Sequence, residues 1–275
     1  MYNLKIIKCG NRLELYKFNN YAVKEQGIKE DKTTNDNNKD LKNKDKKSKE
    51  ENRIYNLNHT RNKIVRLIKC NMDMSTFITL TFQEESNFKD SKKLLNNFFK
   101  KLKRHYKDLK YLWVLEYGEL NQRLHYHVLC NIPIYIKLSS SKERKSKEHK
   151  ALENNFRAKY WEYGFVDIRS LTQEDNTNIA LYVSSYIVKS LGNKDLEGYR
   201  VFGYSNKTLE KPIEIKLMDN RAIEDILKAY KDYCITYSSS YSIGYSYNGK
   251  EHKGVVTYID LELKGCSKIK NEQGE

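Results

Sequence analysis

Between residues 76 and 169 the apolar residues switch between a period of two and a period near 3.6, and this succession restricts the chain more than any other feature. Phe77-Ile78-Thr79-Leu80-Thr81-Phe82 alternates with β-branched and aromatic residues, which predicts a strand. Asp90 or Ser91 is placed to cap a helix whose Leu94, Leu95, Phe98, Phe99, Leu102 and Tyr106 recur at helical spacing. Residues 111–117 and 123–132 read as two further strands joined by the turn 118–122. A polar stretch, 139–150, leads into a helix marked by Leu152, Phe156, Tyr160 and Trp161 that stops at Gly164, and residues 165–169 form a fourth strand. The order β-α-β-β-α-β predicts an α+β, ferredoxin-like (split βαβ) domain: a central antiparallel sheet with helices packed on one face and the other face open to a ligand.

Chemistry concentrates on the third strand. In Leu124-His125-Tyr126-His127-Val128-Leu129 the two histidines leave one face of a strand, roughly 7 Å apart, while Leu124, Tyr126 and Val128 leave the other. Such a pair serves as ordinary hydrogen-bonded residues or as metal ligands. Glu116 interrupts the apolar run 112–117 on the preceding strand and can lie beside the pair. A His/His/carboxylate set leaves coordination positions open and suits a divalent ion that also binds phosphate oxygen, Mn²⁺ or Mg²⁺. The lack of a fourth protein ligand argues against a closed structural zinc site.

A helix over residues 175–191 carries the second group. Ile179, Val183, Ile187 and Leu191 form its packing stripe, and Tyr182, Tyr186 and Lys189 fall within about 60° of one another on its flank. A free tyrosine titrates near ~10, so an ammonium beside the phenol would lower the cost of forming phenolate and favour Tyr186 as a nucleophile.

The flanks are less informative. Residues 1–23 read as a β-hairpin around Cys9-Gly10-Asn11. Residues 24–53, with ten Lys or Arg against eight Asp or Glu, read as a disordered linker too polar to offset its ordering entropy. The main domain spans 54–215, starting with a basic helix over 52–70. Residues 216–275 form an extension with a helix over 221–233 and a Tyr/Ser-rich hairpin. A net charge of +15 favours a polyanionic partner, although a Lys- and Asn-rich composition alone produces such a charge. Five dispersed cysteines without a CxxC pair fit reduced thiols and a cytoplasmic location. No apolar run approaches the ~20 residues of a membrane span.

Taken in order, Phe77–Phe82, Glu116, His125-Tyr126-His127 and Tyr182…Tyr186-Ile187-Val188-Lys189 resemble the motifs of HUH endonucleases. The likeness is greatest to rolling-circle replication initiators of small plasmids and single-stranded DNA phages. Trp161-Glu162-Tyr163-Gly164-Phe165-Val166-Asp167-Ile168-Arg169 and Arg200-Val201-Phe202-Gly203-Tyr204-Ser205 are similar to that group as well, so the resemblance covers about residues 70–210. It implies that His125, His127 and Glu116 hold the metal and that Tyr186 attacks a scissile phosphate. Tyr182 would be a second nucleophile, and Lys189 would neutralise charge or help proton transfer. It also implies partners: single-stranded or supercoiled origin DNA, a host polymerase and, since the chain has no GxxxxGK[ST] phosphate loop, a host helicase. Relaxases usually use three histidines with the tyrosine near the N-terminus, and single-tyrosine transposases lack the Tyr182 counterpart. A non-catalytic single-strand binder on the same fold explains the charge and the tyrosines but not the Glu/His/His set.

Overall fold

The computed structural model describes residues 1–19, 23, 45–83, 87–118, 123–139, 143–171, 179–192, 199–247 and 250–265. They fall into two compact units, Lys47–Glu210 and the combination of Met1–Lys46 with Lys211–Glu275. Most of the 24–53 segment lies outside the described residues; from Asp45 onward it is helical.

Two terminal strands, β1 (Leu4–Cys9) and β2 (Arg12–Asn19), open the chain, and α1 (Asp45–Cys70) follows. The larger unit then runs β3 (Thr76–Phe82), α2 (Phe88–His105), β4 (Tyr111–Tyr117), β5 (Leu124–Cys130), α3 (Lys147–Tyr160), β6 (Gly164–Ser170), α4 (Ile179–Gly192) and β7 (Phe202–Tyr204). Its antiparallel sheet has the order β6-β3-β5-β4-β7, so the first four strands adopt the ferredoxin-like arrangement and β7 adds a fifth at the β4 edge. Helix α2 begins one turn earlier than Asp90 or Ser91 would set it: Asn87 is the cap, its side-chain oxygen accepting the Asp90 amide at 2.9 Å. Ser91 is instead fully buried, bonded to the Tyr126 hydroxyl at 2.9 Å.

Even-numbered residues of β3, β5 and β6 (Ile78, Leu80, Tyr126, Val128, Val166, Ile168) meet Leu95, Phe98, Phe99 and Leu102 of α2 and Phe156 and Tyr160 of α3 in one core. Each such large side chain removed from water contributes about 1.5–3 kcal/mol. The opposite face is not left open along its length. Phe77, Leu112, Val114 and Leu129 form an apolar band there, covered by Ile64, Leu67 and Ile68 of α1 and by Ile179, Ala180 and Val183 of α4. An exposed patch of that composition would be costly, and two helices bury it. The next positions along the same strands are polar: Thr79, Thr81, Glu116, His125 and His127.

In the second unit β1 and β2 join strands from the far end of the chain, β8 (Ile213–Leu217), β9 (Tyr233–Tyr247) and β10 (Lys250–Leu263), in the order β8-β1-β2-β10-β9. Helix α5 (Ile223–Lys228) lies on one face, Ile226 packing on Leu4, Leu15, Ile259 and Leu261. The N-terminal hairpin and the C-terminal extension, which read as separate pieces in the sequence, are therefore parts of one sheet. An isolated two-stranded hairpin is marginal in water, and β2 gains its second neighbour only from β10, with Leu15 opposite Ile259. Gly10, at φ 58°, makes the tight turn between β1 and β2. Helix α5 is shorter than the predicted 221–233 because Tyr233 and the residues after it enter β9. No helix is long and apolar enough to cross a membrane.

Gly164 starts β6 against β3 so closely that a Cβ there would overlap the Thr81 carbonyl oxygen and sit 2.6 Å from the Gln83 amide nitrogen. Backbone cannot give way as a flexible side chain can. Gly164→Ala is expected to lower the unfolding free energy by ~1–3 kcal/mol, read by urea titration.

Candidate active site

Strand register assembles the site. Thr79 stands opposite His127 and Thr81 opposite His125 across β3–β5, and Glu116 stands opposite His125 across β4–β5. Each imidazole turns its Nδ1 to a threonine hydroxyl, His127 to Thr79 at 3.1 Å and His125 to Thr81 at 2.9 Å. A hydroxyl both donates and accepts, so either tautomer of either ring is satisfied. His127 Nε2 donates to Glu116 Oε2 at 2.7 Å; both residues are buried, 7 % and 9 % exposed. His125 Nε2 points at Gly118, where a Cβ would lie only 2.5 Å away.

Helix α4 closes the site from above. The Tyr186 ring lies 4.0 Å from the His127 ring, centroid to centroid, and its hydroxyl donates to that of Tyr182 at 2.7 Å. Both tyrosines pack on Phe77, at 5.8 and 5.3 Å, so Phe77 sets the height of the two phenols over the sheet. Tyr182 is the more open of the pair, 36 % exposed. The Lys189 ammonium reaches Glu116 Oε1 at 3.5 Å.

The electrostatics follow from burial and from these contacts. Burial alone would raise the Glu116 carboxyl, but the hydrogen bond and charge of His127, with Lys189, hold it below the ordinary value. Burial, then the neighbouring His127, pushes His125 down, which favours the neutral imidazole. Tyr186 is raised, first by burial and then by its hydrogen bond with Tyr182, with further contributions from the Glu116 and Asp167 carboxylates. The expectation that Lys189 eases formation of a Tyr186 phenolate is therefore corrected. Its charge is engaged by Glu116, and the phenol is harder to ionise than in water.

The structure thus brings together Glu116, His127, Tyr182, Tyr186 and Lys189, with His125 on the same face beside Thr81. Among the described residues no group of three His, Cys, Asp or Glu side chains is gathered closely enough to hold a metal ion. Sequence reasoning missed Thr79, Thr81, Gly118 and Phe77. The alternation of Phe77-Ile78-Thr79-Leu80-Thr81 did place both threonines on one face, but only the register against β5 gives them their partners. Asp167, opposite Thr79 on β6, is bound by Arg169 at 3.0 Å and by Lys145 at 2.5 Å and borders the site.

Gly118 has a function in this geometry: only a missing Cβ leaves room for the His125 ring. Gly118→Ala is expected to displace that ring, seen as a change in its side-chain NMR signals. The His127 signals and the thermal midpoint should stay close to the parent's.

Residues 75–191, from the start of β3 into the last turn of α4, match the family model described as Replication-associated protein ORF2. No curated protein and no solved structure matches the chain. The match spans the threonines, Glu116, both histidines, both tyrosines and Lys189, and residues 75–191 are a replication-associated protein domain of the ORF2 family.

Proposed function

We propose that this chain is a replication initiator that nicks single-stranded DNA at an origin by transesterification, with Tyr186 as nucleophile. The observation that carries this reading is the stacking of Tyr186 on His127, which sets a phenol beside a buried carboxylate–imidazole pair. The replication-associated family match supports the role in replication. In the reaction the Tyr186 oxygen bonds to phosphorus and the bond from phosphorus to the 3′ oxygen breaks. The products are a 5′-phosphotyrosine and a 3′-hydroxyl from which a host polymerase extends.

Tyr186 reacts as a phenol whose hydrogen points at Tyr182, so the proton leaves along that bond toward solvent, and the departing 3′ oxygen gains one from water. Phe77 keeps the phenol at a fixed height during the attack. The donor set at the sheet edge suits a divalent metal. Thr79 and Thr81 can each accept from an Nδ1–H, leaving Nε2 of His127 and His125 as ligating nitrogens beside the Glu116 carboxylate. An Mn²⁺ or Mg²⁺ ion held by these three residues would neutralise charge on the scissile phosphate. Lys189, already at Glu116, adds positive charge on the helix side. Host helicase would supply unwinding, and Tyr182 would serve as a second nucleophile in strand transfer.

With origin oligonucleotide and Mn²⁺ or Mg²⁺, the protein is expected to form an adduct that survives denaturing electrophoresis, and chelation should prevent it. Tyr186→Phe should abolish the adduct. His127→Ala should reduce it by ~100-fold or more, since even residues that only orient metal ligands account for ~10–100-fold. Both variants should still bind DNA. Absence of an adduct with every metal would leave a binding module without nuclease activity.

A further inference from the structure

Sheet edges expose unpaired backbone donors and acceptors, and proteins normally protect them. Three of the four edges here are protected. At β6 the α3 side chains cap the backbone: the Ile168 amide donates to Glu153 Oε1 at 2.8 Å, and the Ile168 carbonyl accepts from His149 Nε2 at 2.9 Å. The β7 edge is only three residues long, Phe202–Tyr204. The β8 edge follows Pro212 and carries Glu214 and Lys216, which pair with each other at 3.0 Å.

The β9 edge has none of these devices along most of its length. Its 15 residues, Tyr233–Tyr247, contain no Lys, Arg, Asp, Glu or Pro, and no described strand lies beyond it. One irregularity, at Thr236, separates a short first segment from the regular stretch 237–247. In that stretch Tyr237 and Tyr241 occupy one face, 57 % and 46 % exposed, while Ser238, Ser240, Ser242 and Gly244 occupy the other.

We propose that the outer edge of β9 pairs antiparallel with β9 of a second copy of this chain, joining two five-stranded sheets across a twofold axis. An isologous contact brings each residue against the same strand, so any charge would meet its like; β9 has none to repel. The irregularity at Thr236 bounds the straight segment at one end and the β9–β10 turn at the other. Pairing over the whole of 237–247, roughly 36 Å, therefore centres on Ser242. That register sets Tyr241 opposite Ile243 on one face and Ser240 opposite Gly244 on the other, so apolar meets apolar and small meets small. Nucleic acid is the poorer occupant, because β9 offers no cation to a phosphate.

Sedimentation of the full chain over a range of concentrations tests this. The parent should reach twice the 32.7 kDa chain mass. Ser240→Lys with Ser242→Lys should sediment at the chain mass, with an unchanged circular dichroism melt. In a Cys234→Ser background, Ser242→Cys should cross-link to itself on oxidation, being on the axis, and Ser240→Cys should not. A parent that is monomeric throughout, a lysine variant that stays dimeric, or equal cross-linking at 240 and 242 would overturn the proposal. Should the lysine variant fail to fold, the cysteine comparison decides alone.

Discussion

The pairing of β3 with β5 is the constraint on which the candidate site depends. Thr79 opposite His127 and Thr81 opposite His125 fix both imidazoles through their Nδ1 atoms. A slip of one residue would turn His125 and His127 into the core and bring Tyr126 and Val128 to the ligand face. The large burial on the α2/α3 side prevents that slip: Ile78, Leu80, Tyr126 and Val128 have essentially no exposure, and exchanging them for histidine and threonine would bury four polar side chains. Hydrophobic packing on one face thus sets the geometry of the polar residues on the other.

The same sheet face changes character along its strands, and that gradient positions α4. Over the apolar band of Phe77, Leu112, Val114 and Leu129, the helix packs Ile179, Ala180 and Val183. One turn later it has passed onto the polar end, where Tyr186 meets His127 and Lys189 meets Glu116. Phe77 belongs to both regions. It is 2 % exposed in the apolar band and also touches His127, Tyr182 and Tyr186. The buried Glu116–His127 pair would be expensive in isolation, and it persists because each member has further partners, Lys189 on the carboxylate and Thr79 on the ring.

Local patterns in the sequence were sufficient for the strands and helices of the larger unit, because alternation and helical spacing are properties of neighbouring residues. Phe77–Phe82 and the α2 stripe needed no tertiary information. Its α+β class and strand order followed from element order and connection length. Three features were not legible, each for a physical reason. Thr79 and Thr81 acquire meaning only through register, which arises from packing over the whole sheet. Lys189 was placed beside the phenol by helical geometry, yet the carboxylate of Glu116, on another element, is the stronger attraction. The union of β1 and β2 with β8, β9 and β10 joins residues more than two hundred positions apart, and no local signal links Leu15 to Ile259.

Charge is distributed in a way that separates attraction from chemistry. Around the site and the adjoining β6 edge, Glu116, Glu153 and Asp167 are matched by Lys145, Arg169 and Lys189 in direct ion pairs. The excess of +15 therefore resides elsewhere. Part of it lies on α2, where Lys89, Lys93, Lys100, Lys103 and Arg104 are exposed on the side of the sheet opposite the histidines. Such charge raises the local concentration of a polyanion and the rate of encounter, and salt weakens it. It does not orient a phosphate over Tyr186. Orientation depends on the short-range set of Phe77, His127, Glu116 and Lys189, whose partly buried contacts are screened far less. Encounter with DNA and reaction at the tyrosine accordingly depend on different residues.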